Sequence, residues 1–188
     1  MSSQGELVTL HIGGSGIKIG ETFWNKKCME LGVDLNGGLV DKQFITDTYF
    51  KTGSDDKLRP RAVFADLAPN EIDYINNFDT KNLFNKQLMT NCNFDSNCWA
   101  NGMYTDGAEI IDKIVTNCRK EAESSDNFKG FLIFSSLLGG ASGLASLASI
   151  KLNEEYSSNE IIGIHGLQDG TTNSSNLENY NSILSLNW

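Results

Sequence analysis

The sequence is poor in the features that mark several common functional classes. It has no Lys/Arg cluster and a formal net charge of −9. Nucleic-acid affinity draws on counterion release by a basic stripe, so a nucleic-acid surface is excluded. No segment reaches the ~18 uninterrupted apolar residues of a membrane-spanning helix, and no span is expected. The opening MSSQGELVTL carries no basic region, long apolar run or Arg-rich amphipathic pattern, so neither a secretory signal nor a mitochondrial presequence is read from it. Cys28, Cys92, Cys98 and Cys118 form no C-x-x-C pair, and His11 and His165 lie far apart, which leaves no zinc-ligand pattern. Reduced, packed thiols are expected. Asn173-Ser174-Ser175 is a formal glycosylation sequon that carries no weight without a signal peptide. No repeat, proline-rich linker or low-complexity tract divides the chain, so a single domain is expected.

With 188 residues, 39% of them hydrophobic, the chain can enclose a core. Apolar runs alternate with helical patterns. Strands are expected at residues 7–12, 61–67, 86–91, 130–135 and 160–167. Helices are expected at 17–31, with Phe23, Trp24, Cys28 and Leu31 on one side, at 103–124, with Ile111, Val115, Cys118 and Ala122 in step, and at 144–156. Asn70 with Asp73 can cap a short helix after Pro69. Residues 168–179, rich in Asn, Ser, Thr and Gly, read as a loop. Short strands separated by helices imply a Rossmann-like α/β fold, a mainly parallel sheet with helices on both faces.

In such a sheet, ligands bind beyond the carboxyl ends of the strands, where helix N-termini point amides at an anion. Four loops hold that position. Gly13-Gly14-Ser15-Gly16 either lets a phosphate approach the backbone or makes a tight turn; Lys18 is not followed by Ser or Thr, so this is no Walker loop. Asp66 can orient magnesium-bound water or cap the next helix. Residues 93–98 form the third loop, with Asn97 near its end. The fourth is Leu137-Leu138-Gly139-Gly140-Ala141-Ser142-Gly143, whose glycines serve an anion site or close helix packing. Ser142 or Cys98 as a nucleophile would need a His or Asp partner, and the spacing suggests none.

Residues 99–113, WANGMYTDGAEIIDK, join a loop to a long helix and resemble the tubulin family, which runs W-A-x-G-x-Y-T-x-G-A-E. The likeness continues in order through His11-Ile12, Ile19-Gly20, Phe23-Trp24, Pro60-Arg61-Ala62, Asp66-Leu67, residues 119–124 (RKEAES), Gly130-Phe131, Glu154-Glu155-Tyr156 and Tyr180-Asn181. The segments GASGLASLA and EEYSSNEIIGIHGL also resemble the tubulin-related Misato proteins of mitochondrial morphology, a second-choice relative.

The tubulin resemblance implies a GTPase-fold domain with Gly13, Gly14, Asp66, Asn97, Gly139, Gly140, Ser142 and Gly143 around nucleotide phosphates and Glu178 at the ribose. It also implies degeneration. Ala68 stands where the family has a magnesium-linked Glu, and Asp95 adds a negative charge in the third loop. Phe94 and Cys98 fill space the family leaves to backbone, and the signature G-G-G-T-G-S-G has lost its Thr. If three altered phosphate contacts each remove about 1–1.5 kcal/mol, GTP or GDP affinity drops by about two to three orders of magnitude. Weak nucleotide binding without hydrolysis is therefore expected, and no catalytic residue or metal site is assigned.

The family is well over twice this length. The base-covering helix, the second domain and the water-activating loop are accordingly expected to be missing, leaving an apolar face continued by Ile183, Leu184, Leu186 and Trp188. Partners are expected there: other proteins in a stable complex, with tubulin itself a candidate. The expected setting is cytoplasmic or cytoskeletal, with mitochondrial association as the alternative.

Overall fold

The computed structural model describes residues 5–39, 48–94, 96–167 and 176–187. The chain opens with β1 (Glu6–Ile12) and α1 (Gly13–Leu31), then a small hairpin of β2 (Phe50–Thr52) and β3 (Leu58–Pro60). There follow β4 (Ala62–Asp66), α2 (Pro69–Tyr74), short 3₁₀ turns, β5 (Met89–Asn91), α3 (Trp99–Tyr104) and α4 (Asp106–Glu123). The remainder is β6 (Phe128–Ser136), α5 (Gly139–Glu155), β7 (Glu160–Gly166) and α6 (Asn176–Leu186). Five strands make one sheet in the order β5-β4-β1-β6-β7, every pair parallel. Setting the hairpin aside, this is the doubly wound order 3-2-1-4-5.

Strand alternation sorts the core into two layers. Val8, Leu10, Ile12, Val63, Ala65, Phe131 and Ile133 pack with residues of α3, α4 and α5. Ala62 and Phe64 point the other way, with Ile17, Trp24 and Cys28 of α1 and Phe50 and Leu58 of the hairpin. Because the central strands are covered on both faces, their sequences read as nearly continuous apolar runs.

Buried polar side chains sit inside this frame, His11 and the Arg61–Glu6 pair among them. His11 is fully buried and stacked between the rings of Phe64 and Phe134, at centroid distances of 4.9 and 4.8 Å. Trp24 Nε1 donates to His11 Nε2 at 3.2 Å, so Nε2 carries a lone pair and Nδ1 carries the proton, donated to Gly16 O at 3.2 Å. Arg61 Nη2 donates to Glu6 Oε1 at 3.0 Å, and its Nη1 donates to Ser125 Oγ at 2.9 Å and to Ser124 O and Oγ at 3.3 Å. Glu6 Oε2 accepts the Asn127 amide at 3.1 Å. This buried pair ties the start of β1 to β4 and to the turn after α4.

Several expected boundaries shift, each for a tertiary reason. The helix expected over 103–124 begins at Trp99 and breaks at Thr105, giving α3 and α4. At the break the chains touch: a Cβ on Gly107 would lie 1.7 Å from Gly102 O. The fourth-loop glycines open α5 at Gly139, earlier than expected. Residues 176–179 are helical, because α6 is anchored through buried Asn181, whose Oδ1 accepts the Trp99 amide at 3.0 Å. Of the strand expected at 86–91 only Met89–Asn91 is extended. Ala68, not Asn70, is the N-cap of α2, with no side-chain hydrogen bond. Residues 168–175, with the sequon, lie outside the described residues, as do Asp95 and Trp188.

Candidate functional site

The loops after β1, β4, β5 and β6 open at one edge of the sheet and surround a cleft of about 380 Å³, next to the β1/β6 boundary where the strand order reverses. Gly14, Asp66, Asn97, Gly139, Gly140 and Glu178 line it. Gly13, Ser142 and Gly143 do not. Gly13 (φ +75°) lies behind the rim, where its Cβ would meet the Ala141 Cβ at 2.7 Å. Ser142 Oγ donates to Gly139 O at 2.7 Å, which commits the hydroxyl to its own helix and argues against a nucleophile there.

Gly143 is a packing glycine. Its Cβ would stand 2.0 Å from Trp99 O, and one on Gly102 would stand 1.9 Å from Gly140 O, so α3 and α5 cross backbone against backbone. Gly143→Ala is expected to cost about 1–3 kcal/mol or more through overpacking, measurable as a lowered urea midpoint. Gly139 is the opposite case. It has φ +69° with nothing within 4 Å of a built Cβ, so its backbone is exposed to the cleft. Gly139→Ala would therefore strain the turn without a clash.

Two long helices start at this cleft, α1 with Ile12 and α5 with Leu138 as N-cap, and neither has a side-chain cap. Uncapped first turns leave amides for an anion. One is already engaged: the Gly140 amide donates to Ser96 O at 2.9 Å. Ser96 Oγ in turn accepts the Cys98 amide at 3.2 Å and Asn101 Nδ2 at 2.8 Å, which holds the β5–α3 loop against α5. Asn97 O accepts Asn181 Nδ2 at 2.8 Å, binding α6 to the same loop. Phe94 is half exposed, and neither it nor Cys98 lines the cleft.

Asp66 is buried, and its Oδ1 accepts the Ala68 amide at 3.1 Å, so it shapes the turn before α2 and does not cap the helix. Glu178 places one carboxylate oxygen, buried and without a hydrogen-bond partner among the described residues, at the wall given by α6. Glu71 was not singled out in the sequence. It stands one helical turn after Ala68, and a Cβ on Gly14 would lie 2.5 Å from its Oε2. Lys18 Nζ is 4.0 Å from that oxygen and 5.6 Å from the centre of the Tyr74 ring. The i, i+3 spacing that puts residues 68 and 71 on one helix face was the signal available for Glu71. Among the described residues the cleft is thus lined by three carboxylates and one lysine, a balance that disfavours a phosphate without an accompanying cation.

A second cavity, about 560 Å³, lies between α5 and β7, where Ser135 Oγ and His165 Nδ1 are 2.8 Å apart. Among the described residues no cluster of His, Cys, Asp and Glu could hold a metal ion by itself, and no helix is long and apolar enough to cross a membrane.

The strand order and the crevice at its reversal define a doubly wound α/β domain of the nucleotide-binding class. The Tubulin/FtsZ family, GTPase domain, matches residues 6–188, and the chain belongs to that family. It is 35% identical over 194 residues to the Tubulin alpha chain of Dictyostelium discoideum, covering 96% of this chain and 42% of that protein. It is 34% identical over 187 residues to the Tubulin beta chain of Candida albicans, again covering 96% and 42%. The chain therefore spans about two fifths of the length of these relatives.

Guanine nucleotide with a divalent cation is the ligand this family implies, and the cleft fits its phosphates. The uncapped starts of α1 and α5 and the open Gly139 turn would face a phosphate chain, and the Glu178 oxygen without a partner among the described residues would accept from a sugar hydroxyl. Asp66 and Glu71 are the carboxylates that would face the cation, which would neutralise phosphate charge.

Proposed function

We propose that this chain is a degenerate tubulin-like domain acting as a structural or assembly subunit of a larger protein complex, with weak GTP or GDP binding and no GTPase activity. The observation that carries the reading is a charge-unbalanced cleft in a domain that also exposes large apolar side chains. Ala68 is no carboxylate, and among the described residues lining the cleft Lys18 is the one cationic side chain beside Asp66, Glu71 and Glu178. On the outer side, Ile162, Ile164 and Leu167 of the β7 region and Tyr180, Ile183 and Leu186 of α6 are exposed. Exposed apolar side chains of this kind support protein contacts, which this reading assigns to α6. Tubulin is a candidate partner, and a cytoskeletal setting is the reading its relatives' names favour over the mitochondrial alternative.

A second reading, a GTP-binding cytoskeletal protein of tubulin type, draws on the open Gly139 turn and the uncapped helix starts. Nucleotide turnover and particle size separate the two. The purified protein is expected to release phosphate from GTP no faster than a boiled control, and light scattering is expected to show it associated with other protein. Turnover above that control would establish the second reading. A stable monomer that binds no apolar dye would remove the subunit role.

A further inference from the structure

We infer that Glu71 makes phosphate binding in the cleft conditional on a divalent cation, repelling the phosphate chain when the cation is absent and facing the cation when it is present. The inference rests on the phosphate-site reading above and assigns a role to a residue that the sequence did not mark.

The geometry carries it. Glu71 lies directly over Gly14 in the first turn of α1, where a Cβ would meet its Oε2 at 2.5 Å. That turn has no acidic residue of its own and no side-chain cap, so the Glu71 carboxylate over Gly14 brings a negative charge to it from another element. An anion arriving at those amides is repelled by this charge. Glu71 is less committed than Asp66. Asp66 is buried and shapes its own turn, whereas Glu71 is about one third exposed and its ion pair with Lys18 is long, at 4.0 Å. Magnesium at phosphate sites is held through one or two carboxylates together with the phosphates and water, so a complete protein cage is not required. Glu71 supplies the mobile carboxylate of such a pair, with Asp66 as the fixed one.

The role has a signature that a purely structural residue lacks: removing the charge shifts binding in opposite directions with and without cation. The test is calorimetry with GTP on the full chain, in EDTA and in excess Mg²⁺, comparing wild type with Glu71→Gln. In EDTA the variant is expected to bind about three- to fivefold tighter, and in Mg²⁺ about tenfold weaker, so that the cation dependence collapses. Glu71→Asp, with the charge kept and the reach shortened, is expected to match wild type in EDTA and lose part of the Mg²⁺ gain. Glu30→Gln removes one charge at the far end of α1 and should leave both values unchanged.

Shifts of the same sign in both buffers, an unaltered Mg²⁺ to EDTA ratio, or an equal effect of Glu30→Gln would each overturn the inference while leaving the phosphate site in place. If neither wild type nor Glu71→Gln binds GTP in either buffer, the phosphate-site reading fails and this inference fails with it.

Discussion

Arg61→Leu is expected to lower the unfolding free energy by about 3–5 kcal/mol, a large share of the stability of a domain this size. The reason is asymmetry. Glu6 and Arg61 are both nearly inaccessible to solvent, with side chains 8% and 4% exposed. Removing the guanidinium leaves the Glu6 carboxylate buried without its cation, still accepting the Asn127 amide, and releases Ser124 and Ser125 after α4. Charge removed from both sides should behave differently. Glu6→Gln with Arg61→Met leaves no buried ion uncompensated, so the double variant is expected to be more stable than Arg61→Leu. Urea denaturation of the three proteins measures the comparison, and a double variant as weak as the single one would show that the pair is net stabilising.

The second large effect is on pH. Burial pushes the His11 imidazole far below its ordinary value, to about 3, with the Gly16 carbonyl opposing the shift in part. In the unfolded chain the ring titrates near 6.5, so between those values the unfolded state binds a proton that the folded state refuses. The contribution of neutral His11 is complete above pH 6.5 and is lost as pH falls toward 3, with a slope approaching about 1.4 kcal/mol per pH unit. Protonation has a direct structural cost as well, since Nε2 would turn an N–H toward the N–H of Trp24. Lowering the pH from 6.5 to 4.5 is therefore expected to remove about 2–3 kcal/mol through this residue. His11→Gln, less stable at neutral pH, should show a flatter decline over the same range. Parallel declines for the two proteins would place the acid sensitivity elsewhere.

Sequence alone determined the architecture. The apolar runs of β1, β4 and β6 are long enough and regular enough to require a sheet covered on both sides, and the intervening helical patterns require parallel connections. Parallel connection by itself places the four loops at one edge, so the position of the cleft followed without coordinates. The family likeness, densest around the Trp99 segment, agreed with that frame.

Tertiary structure decided which residues face the cleft. Glycines look alike in a sequence because each does its work by having no side chain. Gly139 opens a left-handed turn to solvent, Gly143 and Gly102 let two helix backbones touch, and Gly14 lies under the Glu71 carboxylate. Only the approach of the neighbouring element separates these uses. The same holds for the break at Thr105, which depends on how Gly107 seats against Gly102 O, and for Asn181, whose anchoring of α6 joins residues 82 and 84 positions apart. Local periodicity records which face of an element is apolar, whereas contacts between distant backbones are recorded nowhere in a short window. The fold was therefore legible in the sequence, and the assignment of its glycines and carboxylates required the packed molecule.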